Sequence, residues 1–257
     1  MSRKMIIKET KIPHHNRMVN GSLYVPETTE KCPIVIFSHG YNGCKSDFAL
    51  HAEYLVEKNI AAFCYDFCGG STRDTSGMPT TDMTLFTEVE DLEAVIEAVK
   101  GMEAVDEKNI FVFGGSQGGL VTAMTVDDRS EDIRGMILLY PAFCIPEDWN
   151  RRFPKEEDIP KEEELWGMKL GRVFFESIRG YDVFEHVGKY ENAVLVLHGD
   201  KDPIVELGYS ERIAQTYSKV SLAVFLGEGH GFTPEGDQKV MEMVCDFVRE
   251  EGTGDEG

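Results

Sequence analysis

A serine hemmed by glycines stands in Gly114-Gly115-Ser116-Gln117-Gly118-Gly119. A serine hydroxyl is a poor nucleophile until a base takes its proton. A histidine serves, with a carboxylate to orient its ring and stabilise its cation. Both partners follow downstream. HGDKDPIV (198–205) offers Asp200 and Asp202, and LGEGHGF (226–232) offers His230 in a glycine-flanked loop. The order serine, carboxylate, histidine is neither the chymotrypsin nor the subtilisin order. The chemistry implied is acyl transfer through a covalent serine intermediate. Between the carboxylates the residues leave a choice. Asp202 precedes Pro203, which suits a first helical turn, so Asp202 also reads as a helix N-cap; Asp200 also reads as a turn residue.

Six other histidines compete for the role of base. His14 and His15 lie in an N-terminal hairpin, His51 and His186 on helices, and His39 and His198 in His-Gly pairs that serve loop structure. Ser116 sits in G-x-S-x-G between a strand ending Phe111-Val112-Phe113 and an apolar helical run from Leu120. That is the setting of a nucleophile elbow, where only small neighbours fit. The dinucleotide fingerprint G-x-G-x-x-G does not match these glycines. A second glycine cluster, CGGSTRD (68–74), lacks the glycine two residues after Ser71.

The elements that must carry these residues alternate. Strands are expected at 5–12, 17–25, 33–40, 60–67, 109–115, 133–142, 193–200 and 221–229, with Asn20-Gly21 marking a bulge or turn. Helices are expected at 46–58, 82–100, 117–126, 206–217 and 236–250. Continuous rather than alternating apolar runs, such as PIVIFSHG, indicate strands covered on both faces, hence a mostly parallel sheet between helices. Residues 144–190 break the pattern, with no strand expected. Their charge run KEEDIPKEEE reads as a solvated face. Trp149, Phe153, Trp166, Phe174 and Phe175 either form a small core of their own or cover a ligand.

Composition excludes several classes. The 257 residues carry 46 acidic against 26 basic side chains, a net charge of −20, which repels nucleic acid and anionic membranes. No run of about 18 apolar residues offers a membrane span. Six scattered cysteines lack metal-site spacing and read as buried thiols of a reduced compartment, so no metal and no cofactor are expected, and a cytoplasmic location is.

Four stretches, SHGYNG (38–43), GGSQGG (114–119), HGDKDPIV (198–205) and GEGHGF (227–232), resemble the α/β-hydrolase superfamily over nearly the whole chain. The sequence is most similar to the small cinnamoyl and feruloyl esterases of bacteria. That resemblance implies an α/β-hydrolase core of residues 1–143 and 191–250. It makes 144–190 a lid after the sixth strand, while the acidic, glycine-rich 251–257 read by composition as a disordered tail. It also implies the triad Ser116, Asp202 and His230, with an oxyanion hole of the Tyr41 and Gln117 backbone N–H groups and Trp166 near the substrate. The implied partner is a small ester, and a homodimer follows by analogy. Gly115 stands where relatives often have histidine, Tyr41 where phenylalanine is common, and FCGGSTRDTSG departs from the usual loop. The expected activity is hydrolysis of hydroxycinnamate esters. The alternatives are a lipase, monoacylglycerol lipase or general carboxylesterase on aliphatic esters, or a silent ligand-binding homologue. Oligopeptidases carry a large accessory domain for which this chain has no room.

Overall fold

The continuous apolar runs become the middle of an eight-stranded sheet. The computed structural model describes residues 4–28 and 30–252. Strands β1 (Met5–His14), β2 (Arg17–Pro26), β3 (Cys32–Ser38), β4 (Ala61–Tyr65), β5 (Val105–Gly115), β6 (Gly135–Leu139), β9 (Ala193–Gly199) and β10 (Val220–Phe225) are arranged β1-β2-β4-β3-β5-β6-β9-β10. Only the β1–β2 and β2–β4 pairings are antiparallel; from β4 to β10 the sheet is parallel.

Helices α1 (Ala49–Glu57) and α7 (Pro234–Gly252) close one face of the sheet with Leu55, Val56, Val240 and Val244. On the other, α2 (Leu85–Lys100), α3 (Gln117–Val126) and α6 (Leu207–Thr216) bury Leu92, Val95, Ile96, Leu120 and Ile213. The start of α2 lies later than periodicity suggests because Thr84 caps it, accepting from the Thr87 N–H while Thr87 answers the Thr84 N–H. This is the mostly parallel, helix-covered architecture expected.

Two expectations need correction. Asn20-Gly21 is neither bulge nor turn: β2 runs through it in unbroken register, and a Cβ on Gly21 would meet the Phe63 ring at 2.3 Å. The insertion does contain strands. After α4 (Ile145–Arg152), β7 (Glu162–Leu165) pairs antiparallel with β8 (Met168–Gly171), and α5 (Arg172–Ser177) follows. β7 is Glu-Glu-Glu-Leu, so the charge run hid it, and β8 supplies the buried side chains. The two-residue loop Trp166-Gly167 has φ of +47° and +80°, both left-handed, as a tight hairpin turn of matching twist requires. Gly171 ends β8 against the 80–82 turn, where a Cβ would lie 1.9 Å from the Thr81 carbonyl oxygen.

Among the insertion aromatics, Trp149, Phe153, Phe174 and Phe175 pack together, with ring centroids 4.8 to 5.8 Å apart. No helix of the described residues is long and apolar enough to cross a membrane. Of the expected tail, 253–257 lie outside the described residues, while Glu251 and Gly252 belong to α7.

Candidate active site

Ser116 links β5 to α3 at φ +53° and ψ −120°, a conformation a non-glycine residue holds only when its surroundings enforce it. The enforcement is visible. The Ser116 N–H donates to the Leu139 carbonyl at the end of β6, and its own carbonyl accepts from Gly119 and Ala142. The flanking glycines permit the crossing. A Cβ on Gly114 would stand 2.3 Å from the Gly118 carbonyl oxygen, and one on Gly118 2.3 Å from that of Ser38.

The other two groups arrive on loops beyond β9 and β10. These loops interlock: Lys201 N–H donates to the Glu228 carbonyl, Asp200 Oδ1 accepts the Gly227 N–H at 2.6 Å, and Gly199 leaves room for the Glu228 backbone. Asp200 is therefore the turn residue. Asp202 is the carboxylate within reach of His230, at 2.8 Å from Nδ1, while His230 Nε2 stands 2.9 Å from Ser116 Oγ. A carboxylate can only accept, so Nδ1 carries the proton and Nε2 is left bare to receive the serine proton. Asp202 Oδ1 accepts the N–H groups of Ile204 and Val205, so the side chain also caps its own loop. The helix N-cap reading of Asp202 does not hold: α6 begins at Leu207 after Glu206, so Oδ1 caps a loop rather than a helix, while the other oxygen faces His230.

The two histidines that end strands, His198 and His39, support loops. Buried His198 donates from Nε2 to the Val205 carbonyl and pairs through Nδ1 with Ser210, 3.3 Å from Asp202. Burial pushes its pKa down, so it stays neutral behind the acid. His39 donates from Nδ1 to the Gly40 carbonyl at 2.8 Å and accepts the Phe67 N–H at Nε2. Because a peptide is planar, holding the Gly40 carbonyl also fixes the direction of the Tyr41 N–H. Gly40 passes so close that a Cβ there would lie 3.2 Å from the Ser116 Cβ. Gln117, the first residue of α3, has no intrahelical acceptor for its N–H.

Ser116, Tyr41 and Gln117 open onto a cavity of about 200 Å³. Trp149, Phe174, Leu170 and Leu165 of the insertion wall it, with Ile204 and Val205 opposite and Asp148 and Arg152 as polar groups. Trp149 and Phe174 belong at once to the insertion's aromatic cluster and to the cavity wall. Trp166 lines the cavity from the hairpin tip but is 63% exposed, its ring edge-on to Tyr41 at 5.9 Å. Tyr41 Oη donates to the Leu165 and Met168 carbonyls, tying the hairpin to the loop beside Ser116.

Sequence reasoning missed Tyr140. Its ring lies 4.5 Å from that of His230 and backs the imidazole, with φ +36°. The available signal was its place before Pro141, at a strand end neighbouring the elbow. Among the described residues one group of side chains, His14, His15 and Glu90, brings metal-ligating atoms within 4.8 Å of one another. Arg17 already holds Glu90 at 2.8 Å, and its positive charge opposes a cation there.

Comparisons with known proteins bear on the family and the fold. Residues 29–177 match the Hydrolase_4 family, described as serine aminopeptidase, S33. Est1E of Butyrivibrio proteoclasticus, in its structure with ferulic acid bound, superposes with a TM-score of 0.85 at 28% identity, covering 94% of this chain and 98% of that one. The α/β hydrolase GrgF of Penicillium sp. sh18 superposes at 0.77 with 15% identity, over 96% and 99% of the chains, which is a likeness of fold. The quorum-quenching protein AidA of Acinetobacter baumannii (strain MDR-ZJ06) is 26% identical over 98 residues. That match spans 38% of this chain and about a third of that relative, 32% of its length.

Proposed function

The chain belongs to the Hydrolase_4 family of serine hydrolases, and from that premise we propose that it cleaves carboxylic esters of compact aromatic acids, of the hydroxycinnamate type, through an acyl-enzyme. It is a carboxylic ester hydrolase of the α/β-hydrolase superfamily. The observation that carries the reading is His230 held between Ser116 at 2.9 Å and Asp202 at 2.8 Å, with Ser116 opening onto an aromatic-walled cavity.

In this reading Ser116 Oγ attacks the ester carbonyl as His230 Nε2 takes its proton. The imidazolium is stabilised by Asp202. The backbone N–H groups of Tyr41 and Gln117 receive the negative oxygen of the tetrahedral intermediate. Collapse expels the alcohol, which leaves with the proton from Nε2. Water then attacks the acyl-enzyme with His230 again as base, releasing the acid and restoring Ser116. The insertion 144–190 acts as the lid over the acyl group.

Cavity size supports the acyl class. Ligand pockets commonly run to about 300–1,000 Å³, so about 200 Å³ suits one flat ring with a short linker better than a long aliphatic chain. Ferulic acid bound to Est1E supports the same class. A second reading follows from the family description and Asp148: a carboxylate in the wall is what the free ammonium of an aminopeptidase substrate would need. Arg152 beside it weighs against that reading.

The test is a panel of methyl ferulate, methyl p-coumarate, short and long aliphatic p-nitrophenyl esters and aminoacyl p-nitroanilides, with wild type and Ser116→Ala. We expect the hydroxycinnamates to be preferred and Ser116→Ala to lose about 10⁴-fold or more in kcat. Preference for aliphatic esters would discard the aromatic acyl site, and full activity in Ser116→Ala would discard the triad.

A further inference from the structure

Behind Gln117 lies a buried carboxyl to which the steps above give no part. Glu88 is on α2 and 1% exposed. The Gln117 side-chain amide donates from Nε2 to both of its oxygens, at 3.0 and 2.8 Å. Gly70 completes the cradle, for a Cβ there would lie 3.1 Å from Glu88 Oε1. Among the described residues no cation pairs with Glu88. Arg17 is committed to Asp91 and Glu90, and Asp91 spends its other oxygen on the Cys68 N–H. Burial pushes the Glu88 carboxyl up to about 8. A carboxyl held in that state is destabilising to ionise, so its grip on one residue invites a functional explanation.

That residue follows the strained Ser116. A peptide at a sparsely populated backbone angle keeps its direction only if restrained from outside. On the Tyr41 side, His39 holds the Gly40–Tyr41 peptide through its carbonyl. On the other side the Ser116–Gln117 peptide is held through its carbonyl by the Gly119 and Ala142 N–H groups, and the Gln117 side chain, tethered across to α2, adds a second restraint from outside the elbow. We propose that Glu88 is a positioning residue of the oxyanion hole: by accepting from the Gln117 side-chain amide, it helps to fix the Ser116–Gln117 peptide whose N–H receives the substrate oxyanion. This rests on the reading of Gln117 given above.

The geometry carries a pH signature. Neutral Glu88 adds no charge beside the developing oxyanion, whereas ionised Glu88 adds a buried negative charge that opposes it. The ionisable groups facing it are Asp91 on α2 and Tyr65 on β4, with Cys68 just beyond β4 and Arg17 of β2 both reaching Asp91. Burial raises Tyr65 well above its ordinary range and Cys68 to about 12, so neither ionises near pH 8. Asp91 is raised by burial only to about 6, so it is already charged there.

The experiment takes the full chain with an ester that the wild type hydrolyses, and compares Glu88→Leu and Glu88→Gln for kcat, KM, circular dichroism and melting, from pH 6 to 10. Losing an oxyanion donor outright costs about 10²–10³ in kcat, so a loosened one in Glu88→Leu should cost about 10- to 100-fold with KM within about threefold. Glu88→Gln keeps an acceptor for the Gln117 amide and should restore kcat at pH 7 to within about threefold. It should also abolish the one-proton decline of wild-type kcat above about pH 8. Full kcat in a folded Glu88→Leu overturns the proposal. So do superimposable pH profiles of wild type and Glu88→Gln, which decide the matter if Glu88→Leu does not fold. A wild type inactive on every ester would instead overturn the proposed function. An active wild type, an inactive Ser116→Ala and an unaltered Glu88→Leu would remove the clamp alone.

Discussion

At the scale of residues, Asp202 does two jobs with two oxygens, and this makes its substitution informative. Oδ1 accepts two backbone N–H groups, from Ile204 and Val205, so an asparagine there must turn its carbonyl oxygen to that side. Its NH₂ would then face His230 Nδ1, now obliged to accept, and the proton would move to Nε2. An imidazole protonated at Nε2 cannot take the serine proton. Asp202→Asn should therefore keep the loop and the fold while lowering kcat about 10⁴-fold, which steady-state kinetics beside a melting curve would show. An asparagine variant with wild-type kcat would mean that Asp202 is only the cap of its loop. The serine and histidine were legible from residue type and glycine flanks. The choice between Asp200 and Asp202 rested on resemblance, because two carboxylates two positions apart on a turn point in unrelated directions.

At the scale of elements, the elbow is a contact between backbones, and its glycines differ sharply in what they permit. A Cβ on Gly118 would drive into the Ser38 carbonyl, whereas one on Gly115 would meet only the Phe48 ring, at 3.4 Å. Gly118→Ala should destabilise by about 3 kcal/mol or more, and Gly115→Ala by less than about 1 kcal/mol, read from chemical denaturation midpoints. Equal effects would refute this account of the turn. The β7–β8 hairpin teaches the opposite lesson. Its strand β7 is three glutamates and a leucine, and the buried side chains of the hairpin come from its partner β8, which ends against the 80–82 turn. Local pattern cannot report a strand whose stability lies in its partner.

At the scale of the whole molecule, acidity is spread between surface and core. The 46 carboxylates against 26 basic groups repel phosphate, but Glu88 and Asp91 lie inside. Burial raises Glu88 to about 8 and Asp91 to about 6. In the unfolded chain such groups ionise near pH 4. Between that pH and about 8 the folded state therefore binds the extra proton, and stability contributed by neutral Glu88 is lost as pH rises through this window. Melting temperature should fall from pH 5 to 9, and Glu88→Gln, which has no proton to lose, should flatten the fall by about 5 °C. Parallel curves would place the ionisation elsewhere. Glu88 left a trace in the sequence: with Leu85, Leu92 and Val95 it falls on the buried stripe of α2, where a carboxylate is out of place.

What the sequence determined by itself was whatever is written in short range. Continuous apolar runs announced strands buried on both faces, and glycine spacing around Ser116 announced a tight strand-to-helix turn. The tertiary structure decided what depends on residues far apart in the chain meeting. It brought Asp202 and His230 from separate loops to Ser116, set Tyr140 behind the imidazole and closed Trp149 and Phe174 over the cavity. It also joined Glu88 to Gln117 across two helices. Those contacts follow from the twist and order of the sheet and from side-chain direction, and neither is a property of any stretch of sequence taken alone.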